Sequence, residues 1–211
     1  MNIKNWHSST LAGQTVKNLR DNHFTAEYFA DRDEAVKYIL SLIDTTDSVG
    51  TGGSMTLTEL GIHEMLVKRG NTLLDHSTAK TNEESMEICR NQLTSDVFLS
   101  SANAISLDGK IVNIDGRCNR VAALSFGPKR VIVVAGINKI AADLNAAIYR
   151  ARNIAAPMNA KRLNKKTPCA VTGTCSDCKS PERICRAFQV LHQRPYAIDY
   201  HIVLIGEHLG Y

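Results

Sequence analysis

The sequence has no long apolar segment. Its longest stretch without Asp, Glu, Lys or Arg is Asn5–Val16, twelve residues that include many polar groups. A membrane-spanning helix needs about 20 mostly apolar residues, so the sequence predicts no span. The chain also has no apolar run after Lys4, which a secretory signal would require. We therefore expect a cytoplasmic protein.

Motifs of several enzyme and binding classes are missing as well. The seven histidines are dispersed and form no H-E-x-x-H pattern. No G-x-S-x-G segment occurs, which argues against an α/β-hydrolase. The 25 basic residues exceed the 21 acidic residues by only four. Because recognition of nucleic acid needs a basic stripe on a recognition fold, we expect no nucleic-acid partner.

The length and composition are those of one globular domain. The 211 residues are enough for a sizeable core, and 44% hydrophobic with 22% charged residues is close to the globular average. Segments with helical spacing alternate with β-branched runs such as Val131–Ala135. The sequence predicts a single α/β domain over residues 1–211, with a mixed sheet flanked by helices. In this prediction residues 1–30 are a helical lead-in and residues 165–186 a C-terminal cysteine-rich loop.

Two helix starts are predicted from local signals. Thr56 and Glu59 have the spacing of a capping box, which opens a helix with Met65 on its buried side. Ser180 followed by a proline predicts a second helix start, with Cys185 one turn further on.

A glycine-rich segment lies between the short strand around Val49 and the helix expected at Thr56. Glycines let the backbone approach a ligand closely, and the free N–H groups of a following helix attract anions. The segment is neither a Rossmann fingerprint nor a P-loop, because no lysine follows the last glycine. We predict a phosphate or carboxylate site here, with a merely tight turn as the alternative. The candidate ligand-binding residues are Gly50, Gly52, Gly53, Ser54, Met55 and Thr56.

A predicted hairpin supplies further polar residues. Val97–Ile105 has the composition of one buried strand, and Asp108-Gly109 predicts the turn to its partner. Alternation along the partner strand puts Asn113 and Asp115 on one face. We predict that these residues complete the anion pocket, with Arg120 as the bidentate group; a structural pair between Asp115 and Arg120 is the alternative. The candidates are Asn103, Asn113, Asp115, Asn119 and Arg120.

The stretch between Asp143 and Asp177 contains no acidic residue. One interpretation is a solvated basic face, and the other is a patch for an anionic ligand, cluster or partner. Its basic residues are Arg150, Arg152, Lys161, Arg162, Lys165 and Lys166.

Four of the six cysteines lie within seventeen residues, at Cys169, Cys175, Cys178 and Cys185. Four thiolates in one loop suit tetrahedral zinc or an iron–sulfur cluster. In a reducing compartment this is favoured over two disulfides. Only one C-x2-C pair is present, whereas structural zinc sites commonly have two, so we favour an iron–sulfur cluster with zinc as the alternative.

Four segments resemble the LUD-domain family, the lactate-utilisation proteins of the LutC/YkgG type. They are Ser48–Gly61, Ser101–Ile105, Asp108–Ala123 and Val203–Tyr211, and the resemblance extends over roughly residues 36–211. Cys118 departs from the pattern, which has a small residue, often glycine, before the Asn-Arg pair. The resemblance implies a fold similar to the sugar-phosphate isomerase and CoA-transferase superfamily (NagB/RpiA/CoA transferase-like), in which the glycine loop faces the ligand.

The resemblance also implies a role in the oxidation of L-lactate to pyruvate, beside iron–sulfur partner proteins. Our leading hypothesis is an accessory or redox component that binds a small anion at the glycine loop and a metal centre at the four cysteines. One alternative is a stand-alone enzyme on a phosphorylated or CoA-linked metabolite, with Glu59 or Asp115 as base and a structural zinc. The other is a regulatory ligand-binding domain without catalysis.

Overall fold

The structure is a computed structural model that describes residues 2–211. Its helices are α1 (Ile3–Asp21), α2 (Arg32–Ser41), α3 (Met55–Glu59), α4 (Ile62–Arg69), α5 (Asn82–Asn91), α6 (Asn119–Ser125), α7 (Leu144–Arg150), α8 (Ala156–Arg162) and α9 (Pro168–Thr172). Its strands are β1 (Thr25–Phe29), β2 (Ser48–Thr51), β3 (Thr72–Leu74), β4 (Val97–Ser100), β5 (Ala104–Ser106), β6 (Ile111–Asp115), β7 (Arg130–Gly136), β8 (Ile140–Ala141), β9 (Ala187–Leu191) and β10 (Asp199–Ile205). None of the described helices combines the length and the apolar composition needed to cross a bilayer.

A six-stranded parallel sheet forms the centre of the molecule, in the order β1-β10-β7-β4-β2-β3. Its central strand β7 is fully buried from Val131 to Ala135, because hydrophobic clusters cover both faces of the sheet. The β-branched run in the sequence predicted this position correctly. The α/β class with flanking helices is confirmed.

A second sheet of four strands lies beside the first, in the order β8-β5-β6-β9. The predicted hairpin is its core, with β5 and β6 antiparallel around the turn at Gly109. That glycine has φ +79°, and a Cβ there would lie 2.7 Å from the backbone of Asn18. The turn therefore needs glycine both for its conformation and for its contact with α1.

The prediction of one strand over Val97–Ile105 is wrong. The chain leaves the main sheet after Ser100 and joins the second sheet at Ala104. The apolar composition is the same on both sides of the break, so the change of sheet depends on tertiary partners. The bend between the two strands carries Ser101 and Asn103 to the edge of a cavity.

The predicted capping box at Thr56 is also wrong, because the helix begins earlier. Ser54 is the N-cap, and its Oγ accepts a hydrogen bond of 3.3 Å from the Leu57 N–H. Gly61, with φ +65°, then separates α3 from α4. As a result Met65, expected on a buried face, is 39% exposed.

The helix predicted at Ser180 does not form. The chain from Ser180 to Arg186 makes turns, and β9 pairs antiparallel with β6 directly afterwards. A favourable local cap is outweighed here by the hydrogen bonds that the open edge of β6 offers. Cys185 is therefore not in a helix, whereas Cys169 lies in the short helix α9, which ends at Gly173 with φ +76°.

The long helix predicted from residue 141 towards 156 is present with an irregularity. α7 and α8 are joined by one π-helical turn, Ala151–Ala155. Ala155 and Ala156 line the same cavity as the bend after β4. Turns of this kind are frequent at functional sites.

Candidate functional site

A cavity of about 560 Å³ opens beyond the carboxyl ends of β2 and β4. Open α/β sheets bind ligands at this edge. Its wall is made by the start of α3, the bend after β4, the turn between β6 and α6, the α8 region and the segment Pro181–Ile184. The last residue of the chain, Tyr211, closes one side, and its hydroxyl donates to Asn159 Oδ1 over 3.2 Å.

Seven of the eleven predicted ligand-binding residues line this cavity: Gly53, Ser54, Met55, Asn103, Asp115, Asn119 and Arg120. The structure thus brings the glycine loop and the hairpin turn together, as the sequence analysis expected. The other four, Gly50, Gly52, Thr56 and Asn113, lie outside the wall. Ligand binding by the seven remains a prediction.

The three glycines of the loop have different surroundings. A Cβ on Gly50 would lie 3.0 Å from the Phe98 ring, and one on Gly52 would lie 2.8 Å from Cδ of Arg120. A Cβ on Gly53 would meet nothing within 4 Å. The first two glycines therefore serve packing, and only Gly53 faces open space in the cavity.

Arg120 holds the bend after β4 against β6. Its Nη1 donates to the carbonyl of Ser101 (2.9 Å) and to Asn113 Oδ1 (2.7 Å). Its Nη2 donates to Asn103 Oδ1 (2.9 Å) and to the carbonyl of Ile114 (2.7 Å). Burial lowers the pKa of Arg120 from its usual value. Because four protein acceptors already use the guanidinium, the structure gives Arg120 a positioning function in the cavity wall.

Asp115 caps α6 with both carboxylate oxygens. Oδ1 accepts from the backbone N–H groups of Arg117 and Cys118, and Oδ2 from those of Arg120 and Val121, at 3.0 to 3.2 Å. The alternative of a side-chain ion pair between Asp115 and Arg120 is not realised among the described residues. Asp115 holds the backbone of this turn in place.

Glu59, the other candidate base, contacts the end of the chain. Its Oε2 accepts from the N–H of Gly210 over 2.8 Å. Thr56 donates to the carbonyl of Leu209 over 3.3 Å from the same helix. These contacts attach the C-terminal segment to α3 and so keep Tyr211 at the cavity.

Lys139 is a cavity residue that the sequence analysis did not single out. It is only 3% exposed, and its Nζ donates to Thr56 Oγ1 and to Ser101 Oγ, both at 2.9 Å. No carboxylate of the described chain lies within ion-pair distance of it. One signal in the sequence could have found it, because it follows the central strand β7 at the edge where ligands bind.

The surroundings of Lys139 disfavour its charge. Burial, and then the nearby Arg150 and Arg120, lower its pKa to about 7, while Glu59 acts weakly in the opposite direction. A lysine amine buried without an acidic partner loses the hydration of its ammonium form. A substantial fraction of Lys139 is therefore uncharged at neutral pH.

The cavity wall has a surplus of positive charge. Its acidic residues are already engaged, Asp115 by four N–H groups and Glu182 by the N–H of Lys166 over 2.9 Å. The basic residues of the wall are Arg117, Arg120, Lys139, Arg162, Lys165 and Arg183. This distribution favours an anionic ligand.

The acid-free stretch between residues 143 and 177 is not one solvated face. Arg150 is buried and donates to the carbonyls of Asn138 and Asn103. Arg152 pairs with Asp177 over 3.0 Å. Two further basic residues of this stretch belong to the cavity wall, as described above. The structure therefore divides these residues between packing, pairing and the cavity.

All six cysteines are unpaired thiols, and the four of the cysteine-rich loop are half-buried. Burial raises the pKa of Cys185, Arg183 opposes this, and the Cys175 and Cys178 thiols add to the rise. Among residues 2–211, no group of three or more His, Cys, Asp or Glu side chains is arranged to hold a metal. Cys169, on α9, and the other three cysteines of the loop supply four thiols, and thiols are the ligands that a thiophilic metal prefers.

The cysteine-rich loop and the cavity share a wall. Arg183 lines the cavity and donates to the carbonyls of Cys178 (2.7 Å) and Cys185 (2.9 Å). It also pairs with Asp177 over 2.9 Å. The segment Pro181–Ile184 therefore belongs both to the cysteine-rich loop and to the cavity wall.

The fold and the cavity define an α/β protein with a cavity lined by basic residues at the carboxyl edge of its parallel sheet. A family model described as LUD domain matches residues 12–205, so the chain belongs to the LUD-domain family, which is associated with lactate utilisation. No curated protein matches the sequence.

Among solved structures, the crystal structure of a DUF162 family protein from Deinococcus radiodurans is similar to this chain. The TM-score is 0.54 at 13% identity, and the match covers 94% of this chain and 97% of that one. At this identity the likeness supports the fold alone, and it confirms the α/β architecture over nearly the whole chain.

Proposed function

We propose that this protein is an accessory or redox component of L-lactate utilisation, which binds a small carboxylate anion in the cavity and a metal centre in the adjacent loop. The observation that carries this proposal is the shared wall, Pro181–Ile184, between the cationic cavity and the four cysteines. Iron–sulfur proteins of a lactate-oxidising system are the expected partners.

The charges and groups of the cavity support a small carboxylate as ligand. Arg162, Lys165 and Arg183 attract an anion, and the hydroxyls of Ser54 and Ser101 offer short polar contacts. The volume of about 560 Å³ lies in the range of small-molecule sites. L-lactate and pyruvate are the carboxylates that the family association makes the first to test.

The thiols of the loop support a metal centre. Cys169, Cys175, Cys178 and Cys185 would hold it, and the cluster that we favour supplies one-electron transfer when bound. Arg183 keeps the two carbonyls at Cys178 and Cys185 in place, and its charge favours anionic thiolates nearby. The same residue joins this loop to the ligand cavity.

Anaerobic purification tests the metal centre. We expect iron with acid-labile sulfide and a visible absorption band, all lost in Cys178→Ser. Cys118→Ser is the matched control, because Cys118 is exposed and outside the loop. One zinc per chain would keep the metal site but contradict the redox role, and a metal-free protein would contradict both.

A pair of neighbouring lysines tests the cavity. Lys165 lines the cavity, whereas Lys161 is exposed and outside it, so their glutamine variants remove the same charge at two positions. Calorimetric titration with L-lactate and with pyruvate should show affinity about fivefold weaker, or about 1 kcal/mol, for Lys165→Gln. Equal losses in both variants would mean that only net charge matters, and no binding to the wild type would contradict the proposal.

A further inference from the structure

Lys139 differs from every other basic residue of the cavity wall. It is only 3% exposed, whereas the other basic residues of the wall are half-buried or exposed, and its Nζ contacts two hydroxyls. A buried cation without a counter-ion is costly, and an anion-binding site could use the exposed Arg162 instead. The position therefore favours a function of the uncharged amine.

Hydrogen bonding leaves the amine ready to react. An uncharged lysine amine has two N–H bonds and one lone pair, and the oxygens of Thr56 and Ser101 accept both N–H bonds at 2.9 Å. With both N–H bonds donated, the nitrogen lone pair accepts no hydrogen bond from the described residues. Burial, and then the nearby Arg150 and Arg120, disfavour protonation, and an unprotonated lysine amine is the form that can attack a carbonyl carbon.

We propose that the Lys139 amine forms a reversible imine with a small 2-oxo acid bound in the cavity. The inference rests on the proposed function in one respect, the binding of a small carboxylate there. The cations of the wall hold the carboxylate, and the amine lies behind the glycine loop at the inner end of the cavity.

The step needs no oxidant or reductant. The nitrogen lone pair forms a bond to the carbonyl carbon as the carbonyl π electrons move to oxygen, and the nitrogen then passes its first hydrogen as a proton to that oxygen to give a carbinolamine. The nitrogen then loses its second hydrogen as the hydroxyl departs, so that one imine and one water result. The hydroxyls of Thr56 and Ser101 are placed to pass protons between nitrogen and oxygen.

Reductive trapping tests the imine in the full-length protein. Pyruvate is the probe, with sodium cyanoborohydride as reductant, and L-lactate is the control because it has no carbonyl carbon to attack. We expect one reduced pyruvate adduct per chain in the intact mass, and peptide mapping should place it on Lys139. Labelling there should be about tenfold or more above that of any other lysine, which corresponds to about 1.4 kcal/mol of preference.

The variants separate this inference from the proposed function. Lys139→Met should lose the adduct, and Lys161→Met, at an exposed lysine outside the cavity, should keep it; the mapping on wild-type protein gives the answer even if a variant fails to fold. If calorimetry shows that pyruvate binds but no adduct forms at Lys139, the inference fails and the proposed function stands. Binding of L-lactate without pyruvate would overturn the inference alone, and absence of binding by both would overturn the inference and the proposed function.

Discussion

The two walls of the cavity carry charge of the same sign but are built differently. The inner wall contains Lys139 and Arg120, whose donors are bound to oxygens of the neighbouring strands and helix. The outer wall contains Arg162 and Lys165 on and after α8, together with Arg183 in the cysteine-rich loop. Inner-wall cations are fixed in place, whereas those of the outer wall are in contact with solvent.

The two walls therefore have different functions, since the exposed cations attract the ligand and the buried cations act through short contacts. Exposed cations are screened by salt and attract anions over a distance. Buried cations have lost their hydration and act only through the contacts that replace it. We therefore expect changes to the inner wall to alter stability and chemistry, and changes to the outer wall to alter affinity.

The largest expected effect is on the pH dependence of stability. The pKa of Lys139 is about 7 when folded and has its ordinary value of 10.5 when unfolded. Between these values the unfolded chain binds a proton that the folded chain does not, so the free energy of unfolding rises with pH. Relative to Lys139→Met, which keeps Arg120, Arg150 and Glu59, the wild type should gain about 3 kcal/mol between about pH 7 and pH 10.

Urea unfolding across this range measures the gain. Lys161→Met is the control, because its side chain is exposed and its curve should run parallel to that of the wild type. A curve for Lys139→Met parallel to the wild type would mean that Lys139 stays charged, and it would remove the distinction between the two walls.

The second prediction concerns the guanidinium of Arg120. A lysine has one nitrogen and cannot reach the four acceptors around Arg120, so Arg120→Lys should lower the free energy of unfolding by about 2 kcal/mol. Arg117→Lys is the control, since that side chain is exposed and donates only to Ser85 Oγ. Unchanged stability with lost anion binding would instead restore the sequence-based interpretation of Arg120 as the ligand's bidentate group.

The sequence predicted those parts of the fold whose signals are local. The run Val131–Ala135 has no polar residue, which identifies a strand covered on both faces. The Asp108-Gly109 turn was predicted because the left-handed conformation favours glycine. The change of sheet after Ser100 and the strand β9 had no such signal, because both depend on which strand edge is available.

The sequence predicts the site residues that follow neighbouring strands, but it does not predict residues whose function depends on burial in the folded protein. Ser54 follows β2 and Asn103 follows β4, which are adjacent parallel strands of the six-stranded sheet, so their convergence follows from the topology. Nothing in the local sequence around Lys139 indicates burial, since its cover comes from Thr56, Ser101 and the distant C-terminal segment. A lysine is assigned to the surface by default, and only the assembled fold corrects this.

The third prediction uses the open space at Gly53 to test the cavity without disturbing the fold. Gly53→Val places two methyl groups where a Cβ meets nothing within 4 Å, so stability should not change. Affinity for pyruvate in calorimetry should fall about tenfold, or about 1.4 kcal/mol, because the side chain occupies ligand space. Gly13→Val is the control, with equal space around it but a position on α1. Unaltered affinity would move the ligand away from the glycine loop.

The smallest effect is expected at Cys118, where the turn before α6 has φ +68°. Asp115 Oδ1 accepts the Cys118 N–H over 3.1 Å and so holds this residue in the left-handed region. That conformation costs a non-glycine residue about 1 kcal/mol. Glycine avoids this cost, but its greater freedom in the unfolded chain cancels part of the gain in stability. Cys118→Gly should therefore raise the free energy of unfolding by about 0.5 kcal/mol, measured in urea against Cys118→Ala, which removes the thiol but keeps the strain. If the glycine variant is no more stable than the alanine variant, the hydrogen bonds to Asp115 already compensate for the strain at residue 118. The turn before α6 would then be more adaptable than its hydrogen bonds indicate.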